Sequence, residues 1–302
     1  MYRFSQTARF NFKYTTSSSQ PTVNQLQPIP DNSNPNSVII GNTNLLPTFS
    51  HNFNMSANTY KPISGKYIWT NANYSITDNA FANSIVYDSL GRTISQSVNV
   101  DGNYNASAYV GGGIPLFSRV LTIQPSANAN YNSYTSYINL QKNITKTLNV
   151  GMNLGIDFDI DTLAFSLAYG YDYNAPSSSL SAAANKPYAD QTFTGSFRLK
   201  LPFKILLESD AAYTIKGQRA EGYNTNYVVW NASISKSFFK LENLILTVSG
   251  NDILNQNISN NRTVQDNMII DSKTNIISRY FLLKLTYKFN STKTKDNEND
   301  MW

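Results

Sequence analysis

The stretch Arg279-Tyr280-Phe281-Leu282-Leu283-Lys284-Leu285-Thr286-Tyr287-Lys288-Phe289 decides how the chain is read. In an extended backbone, Phe281, Leu283, Leu285, Tyr287 and Phe289 point one way, and Leu282, Lys284, Thr286 and Lys288 point the other. That period of two marks a strand with one apolar and one polar face. It ends on an aromatic, and only a polar tail follows, Asn290 to Trp302.

The same alternation recurs upstream. Over Tyr2 to Tyr14, Tyr2, Phe4, Ala8, Phe10, Phe12 and Tyr14 share a face opposite Arg3, Thr7, Arg9, Asn11 and Lys13. Thr48 to Tyr60 alternates Phe49, His51, Phe53, Met55 and Ala57 with Ser and Asn. Between them, the Pro-, Ser- and Asn-rich segment Thr15 to Pro47 reads as a loop. A third strand is expected from near Lys66 to Tyr87, with a hairpin tip at Ser89-Leu90-Gly91-Arg92. A fourth passes through Val98, Val100, Tyr104, Ala106 and Ala108 to a turn at Gly111-Gly112-Gly113-Ile114-Pro115. A weaker fifth covers Arg119 to Tyr131, and further strands follow over 148–158, 163–173, 193–201, 205–215, 228–238 and 244–249. A loop over 250–277 precedes the last strand. The pattern predicts about twelve strands in an antiparallel, up-and-down, all-β transmembrane barrel.

Composition agrees. Charged residues make up only 14% of the 302, against about a quarter in soluble domains, while aromatics reach 13%, with 20 Tyr and 16 Phe. A barrel with an aromatic girdle and an uncharged polar interior has this balance. The mean hydropathy of −0.35 is compatible, since only alternate residues would meet lipid. No run approaches the ~18 apolar residues of a membrane helix. There is no cysteine for disulfides or thiolate metal sites. The net charge of +5 is scattered, which argues against a nucleic-acid partner.

Two regularities point to an outer membrane. Short turns are expected near 61, 112, 159, 202 and 240, alternating with long polar loops near 15, 135, 180, 220 and 260. Barrels there have short periplasmic turns and long outer loops. Charges also segregate: Arg3, Arg9, Lys13, Asp101, Asp157, Asp172, Arg198, Lys200, Glu208, Asp210, Lys284 and Lys288 fall opposite the apolar face. Arg119 and Lys236 are exceptions, each beside a short turn, where a long side chain reaches the headgroups. Met1-Tyr2-Arg3 already starts a strand without a signal peptide, so the chain is expected to be a portion of a longer protein.

Two segments carry a family resemblance. Gly41-Asn42-Thr43-Asn44-Leu45-Leu46-Pro47, preceded by Gln25-Leu26-Gln27-Pro28 and Asp31-Asn32-Ser33-Asn34-Pro35 and followed by Ser50-His51-Asn52-Phe53, resembles a Gly-Asn-Pro-Asn-Leu-Lys-Pro-Glu loop and strand. It departs from that pattern at Thr43, Leu46 and Thr48. Asn251-Asp252-Ile253-Leu254-Asn255-Gln256-Asn257, with Arg279-Tyr280-Phe281 and Leu285-Thr286-Tyr287-Lys288-Phe289-Asn290, is similar to a last loop and terminal strand. The family is that of the TonB-dependent receptors and related outer-membrane barrels of Bacteroidetes type. The resemblance implies the C-terminal half of a barrel of about 22 strands, with barrel wall over 1–290 and a polar periplasmic tail over 291–302. It also implies uptake of a bulky nutrient across the outer membrane, with an upstream plug and a TonB-type energy-coupling protein as partners. The rival expectation is a structural, adhesive or passive-porin barrel whose outer loops bind a ligand.

No enzymatic, metal or cofactor site is expected. His51, the single histidine, invites comparison with a barrel phospholipase, but neighbouring Ser50 points to the other face. It reads as an amphipathic side chain at the membrane interface. Asp157, Asp159 and Asp161 alternate as calcium ligands can, yet lack the EF-hand pattern and read as a solvated rim. Gly111-Gly112-Gly113 has no following helix to cradle a phosphate. Tyr169, Tyr171 and Tyr173 read as girdle, and Asp252-Ile253-Leu254-Asn255 as a packed turn.

Overall fold

A computed structural model describes residues 2–3, 5–181, 185–217, 226–257, 259–265, 268–274 and 277–289. Strands β1 (Tyr2–Arg3), β2 (Ala8–Ser19), β3 (Asp31–Asn34), β4 (Ser37–Ile40), β5 (Thr48–Tyr60), β6 (Tyr67–Asp78), β7 (Ala80–Tyr87), β8 (Thr93–Val100) and β9 (Asn103–Leu116) form the first part. One helical turn, α1 (Val23–Leu26), lies between β2 and β3. The second part holds β10 (Leu121–Ile138), β11 (Gln141–Asp159), β12 (Leu163–Ser178), β13 (Tyr188–Leu201), β14 (Ile205–Lys216), β15 (Tyr227–Phe238) and β16 (Leu244–Asn251). The hairpin β17 (Ser259–Gln265) and β18 (Met268–Thr274) precedes β19 (Tyr280–Tyr287).

The pairings trace one antiparallel ladder: β2–β5–β6–β9–β10–β11–β12–β13–β14–β15–β16–β19. These are the expected twelve. The sheet is open, with β2 and β19 as its edges. Directly opposed residues share a face, so the registers fix both faces. One row runs Leu163–Leu199–Leu207–Ile234–Val248–Leu283. A row on the other face, three residues further up β12, runs Ser166–Ser196–Asp210–Asn231.

Several boundaries differ from expectation, each for a local reason. Strand one starts at Ala8 rather than Tyr2. Tyr2 and Arg3 fold back to pair with Phe10 and Arg9, and the Ser5 hydroxyl accepts from the Thr7 and Ala8 amides at 3.2 and 3.0 Å. Thr15 to Ser19 continue β2, because pairing with Thr48 to Asn52 satisfies a backbone whose side chains look loop-like. The supposed turn at Gly111 to Pro115 is strand; the chain reverses at Phe117–Arg119, where Phe117, Ser118 and Arg119 have φ of 47°, 55° and 74°. The third and fourth strands each break, at Asn79 and at Asp101–Gly102, where Asn79 and Gly102 adopt φ of 50° and 85°. Asp101 therefore sits in a turn, accepting from the Asn79 amide at 2.8 Å.

The fifth strand is among the longest, 18 residues, and no long loop follows near 135. Asn139 and Leu140, φ 48° and 64°, turn the chain directly into β11. A two-residue turn with both φ positive suits the twist of paired strands. The loop expected over 250–277 carries the separate β17–β18 hairpin. The tail expected over 291–302, and the side chain of Arg3, lie outside the described residues.

At the long-loop end the connections build on one another. The hairpin β7–β8 lines up beside β10, with Ser84 and Ile85 parallel to Tyr137 and Ile138, and β4 adds in parallel to β8. Ala80, Ala82 and Val100 form a small core there with Val98 and Tyr137.

Candidate functional site

On the apolar face, rings from five strands meet in a belt. Tyr14 lies 4.9 Å from Phe53 and Phe53 lies 6.2 Å from Tyr74; Tyr74 is 6.1 Å from Tyr104 and Tyr104 is 5.8 Å from Tyr131, centroid to centroid. Tyr169, Phe193 and Tyr213 extend the theme at 4.8 and 6.4 Å, and the Tyr169 hydroxyl donates to Gln191 at 3.1 Å. From Leu121 at the short-turn end, β10 rises about 33 Å along its axis to Tyr131. At the ~40° tilt of a barrel strand that is a height of about 25 Å, matching the apolar band of an outer-membrane barrel. Within the band the exposed side chains are apolar, among them Met152, Leu154, Leu167, Phe197, Ile234, Val248, Leu283 and Leu285.

The two basic residues expected to snorkel lie at its lower margin. Arg119 donates to the Pro62 carbonyl at 3.1 Å, and Lys236 donates to the Phe203 carbonyl at 2.7 Å. Both turns thereby bind a cation that would otherwise face lipid.

The opposite, concave face is polar and divides in two. Across β11 to β16 a trough of about 650 Å³ is lined by Asp157, Asp159, Arg198, Glu208, Asp210 and Asn231, among others. Three of its acids have separate partners. Ser166 donates to Asp157 at 2.6 Å, Asn231 donates to Asp210 at 2.7 Å, and Arg198 lies 3.9 Å from Asp159. Asp161, expected beside Asp157 and Asp159, instead pairs with Lys200 at 2.9 Å beyond the strand end. That bond to the Lys200 ammonium holds the Asp161 carboxyl below its ordinary range. Among the described residues no group of three acids or histidines is placed to hold a metal.

The other half, β5, β6, β9 and β10, has an amide-rich inner face. Asn54 donates to Asn73, Asn73 donates to Ser107 at 3.4 Å, Asn105 donates to Asn132, and Ser75 donates to Asn52 at 2.8 Å. Tyr67, Trp69 and Tyr109 stand among these amides. They carry no sequence expectation, although strand parity was the available signal: Ala72 and Ala108 face lipid, so Trp69 and Tyr109 face inward. The Trp69 and Tyr109 rings stack at 4.0 Å and 25°.

The loop parts of the two motif segments, 41–47 and 251–257, lie at the long-loop end. Asn42 donates from Nδ2 to the Ser97 carbonyl at 3.0 Å and accepts from the Asn44 amide at 3.0 Å. Gln96 donates to the Gly41 carbonyl at 3.1 Å. A Cβ at Gly41 would collide with the Gln27 carbonyl oxygen, so the close approach requires glycine there. Buried Asp252 accepts from the Gln256 and Asn257 amides at 3.0 and 3.2 Å, closing the expected turn. Asn255 accepts from the Arg279 amide at 3.2 Å, which seats the start of β19. Both motifs thus fasten loops to the sheet.

His51 lies on the apolar face near the long-loop margin. It bonds the Tyr14 hydroxyl through Nδ1 at 2.7 Å, and its Nε2 is 3.6 Å from Asp78. Ser50, on the other face, shares its hydroxyl with Thr77 at 2.9 Å.

An apolar band of membrane height, an aromatic belt and a polar concave face define a membrane barrel wall. The sequence profile of the outer membrane protein beta-barrel family matches residues 1–287. The chain belongs to that family. As an outer membrane β-barrel protein it resides in the outer membrane. No curated protein matches the chain. No solved structure matches it either.

Proposed function

We propose that this outer membrane β-barrel chain is part of the wall of a TonB-dependent receptor-like transporter of Bacteroidetes type, which takes up a bulky nutrient. The observation that supports this reading is the open ladder. Its twelve strands end in β2 and β19, which do not pair with each other. Among the described residues only the foot of that edge of β2 is covered, by Tyr2 and Arg3. Strand edges cannot be left bare in a bilayer, where no water satisfies their amides. Upstream strands completing a ring of about 22 would cover both edges and leave room for a plug. A TonB-type energy-coupling protein would then drive uptake through the plug. This assignment gives His51 no catalytic role, because its partners are a tyrosine and a carboxylate on the lipid-facing side.

A crosslinking scan tests the assignment, and the absence of native cysteine makes it clean. One cysteine is placed at Asn11 or Lys13 and a second at Leu282, Lys284 or Thr286, in the protein assembled in its own membrane. A wall completed by other strands gives no β2–β19 disulfide in any combination. Efficient oxidation of one pair would mean that the twelve strands close on themselves, and would replace the transporter with a small passive barrel.

A further inference from the structure

Above the apolar band, two cations stand on the outward face of β11. Its register with β10 runs unbroken from Leu121–Phe158 to Ile138–Gln141, so Lys142 and Lys146 share the face of lipid-facing Leu148 and Val150. Both are exposed, while Asn143 and Thr145, which alternate with them, are fully buried on the other face. That alternation sends both ammonium groups outward, and the bonds joining Asn143 to Thr145 and Ser178 hold their backbone in place. Neither lysine has a hydrogen-bond or ion-pair partner among the described residues. Lipid-side positions of β9 to β14 include no Asp or Glu. Asp101, in the nearby β8–β9 turn, is occupied by the Asn79 amide. Arg119 and Lys236, the lipid-side cations at the other end, each bind a turn carbonyl.

Height separates the two lysines. Lys146 opposes Ser133 and exposed Ser177, in the row directly above Tyr131–Leu148–Ala175, where the apolar band ends. Two residues are about 7 Å along the strand, or about 5 Å in height at a ~40° tilt, which is the headgroup layer of a bilayer. Lys142, four residues beyond Lys146, stands about 15 Å above the band. A phospholipid phosphate does not reach it.

We propose that Lys142 and Lys146 bind an anionic glycolipid of the outer leaflet, with one phosphate at Lys146 and a second, on the sugars above, at Lys142. Outer-membrane barrels carry their long connections on the outer side, which puts this margin in the leaflet of lipopolysaccharide. A lysine is a compact point charge with three donors, suited to a phosphate that approaches from the lipid. Two of them about 13 Å apart on a rigid strand match a headgroup with several phosphates better than a headgroup with one. Ser177 adds a hydroxyl beside Lys146. The site lies on the outside of the wall and is independent of what passes through it.

The experiment uses the whole protein folded in detergent, with folding checked by heat-modifiable gel mobility. Fluorescent lipopolysaccharide, the same lipid stripped of its phosphates, and phosphatidylglycerol are titrated separately, with inorganic phosphate as competitor. The intact lipid should bind in a salt-sensitive way. The stripped lipid and phosphatidylglycerol should bind at least about tenfold more weakly, and millimolar phosphate should not displace the intact lipid. Lys142→Gln and Lys146→Gln should each weaken binding about fivefold, and together about thirtyfold. The corresponding pair of Lys→Arg changes should retain it. Lys284→Gln, the same loss of charge on the inner face, should change nothing. The proposal is overturned if the folded double Gln variant binds the intact lipid like the parent, if the stripped lipid binds equally, or if Lys284→Gln is as damaging as Lys142→Gln. Phosphatidylglycerol binding that depends on Lys142 would also overturn it, since the lysines would then lie against phospholipid. Displacement by millimolar phosphate would overturn it too, leaving a simple anion site in its place.

Discussion

Asn143 is fully buried where β10, β11 and β12 rise past the apolar band. Its Oδ1 accepts from Ser178 Oγ at 2.8 Å, Ser179 Oγ at 3.2 Å and the Leu180 amide at 3.3 Å, while Nδ2 donates to Thr145 at 3.1 Å. One side chain therefore ties the loop after β12 to the outer ends of three strands. Asn143→Ala should cost about 1–3 kcal/mol, the penalty of orphaning buried polar groups. The effect is expected as faster proteolysis after Ser178, with the strands below unaffected. A charge acts in the same way at the β7–β8 tip. Asp88 accepts from the Arg92 guanidinium at 2.7 Å and from the Leu90 and Arg92 amides at 2.9 Å, and the Arg92 bond first of all lowers its pKa. A lowered carboxyl pKa stabilises the turn above the unfolded value of about 3.9 and loses that contribution as pH falls through the folded one. The protection of the Gly91 and Arg92 amides, relative to their intrinsic exchange at each pH, should fall below about pH 4, and Asp88→Asn should remove that pH dependence.

Strand β19 poses the sharpest contrast between neighbouring positions. Leu285 faces lipid opposite Leu246, and Lys284 faces inward opposite Thr247. Leu285→Arg should cost about 2–4 kcal/mol if it lies near the bilayer midplane, seen as loss of folded protein in outer-membrane fractions. Lys284→Glu should assemble normally. This alternation was legible in the sequence because each face keeps one character along the strand. β9 was not, because Gly111, Gly112 and Gly113 read as a turn when taken alone. They are strand because Tyr109, two residues back, and Tyr67, on the next strand, cover Gly111 and Gly113. Thr15 to Ser19 were hidden for a related reason, since a polar segment becomes strand only where a partner, here Thr48 to Asn52, supplies the amides. The Gly41 motif was visible as a resemblance, but its role in docking the first loop on β8 depends on contacts more than fifty residues apart. Gly41→Ala should detach that loop, read as new protease cleavage between residues 20 and 47.

At the scale of the molecule, three properties belong to the sheet and to no single strand. It is open, four of its neighbouring strands (β5, β6, β9 and β10) turn no charge inward while β2 on one side and β11 to β14 on the other do, and its long-loop end is thickened by β3, β4, β7 and β8. The uncharged stretch escaped the sequence because residues such as Trp69 and Tyr109 become neighbours only through the register of β6 and β9. All three rest on the apolar face being the one in lipid. Spin labels placed singly at Phe281, Leu283 and Leu285, and at Leu282, Lys284 and Thr286, measure this directly in the protein assembled in its membrane. Collisions with oxygen should dominate at the first three positions and collisions with a water-soluble nickel chelate at the second three. Equal accessibility of the two sets to both reagents would contradict a membrane-spanning strand.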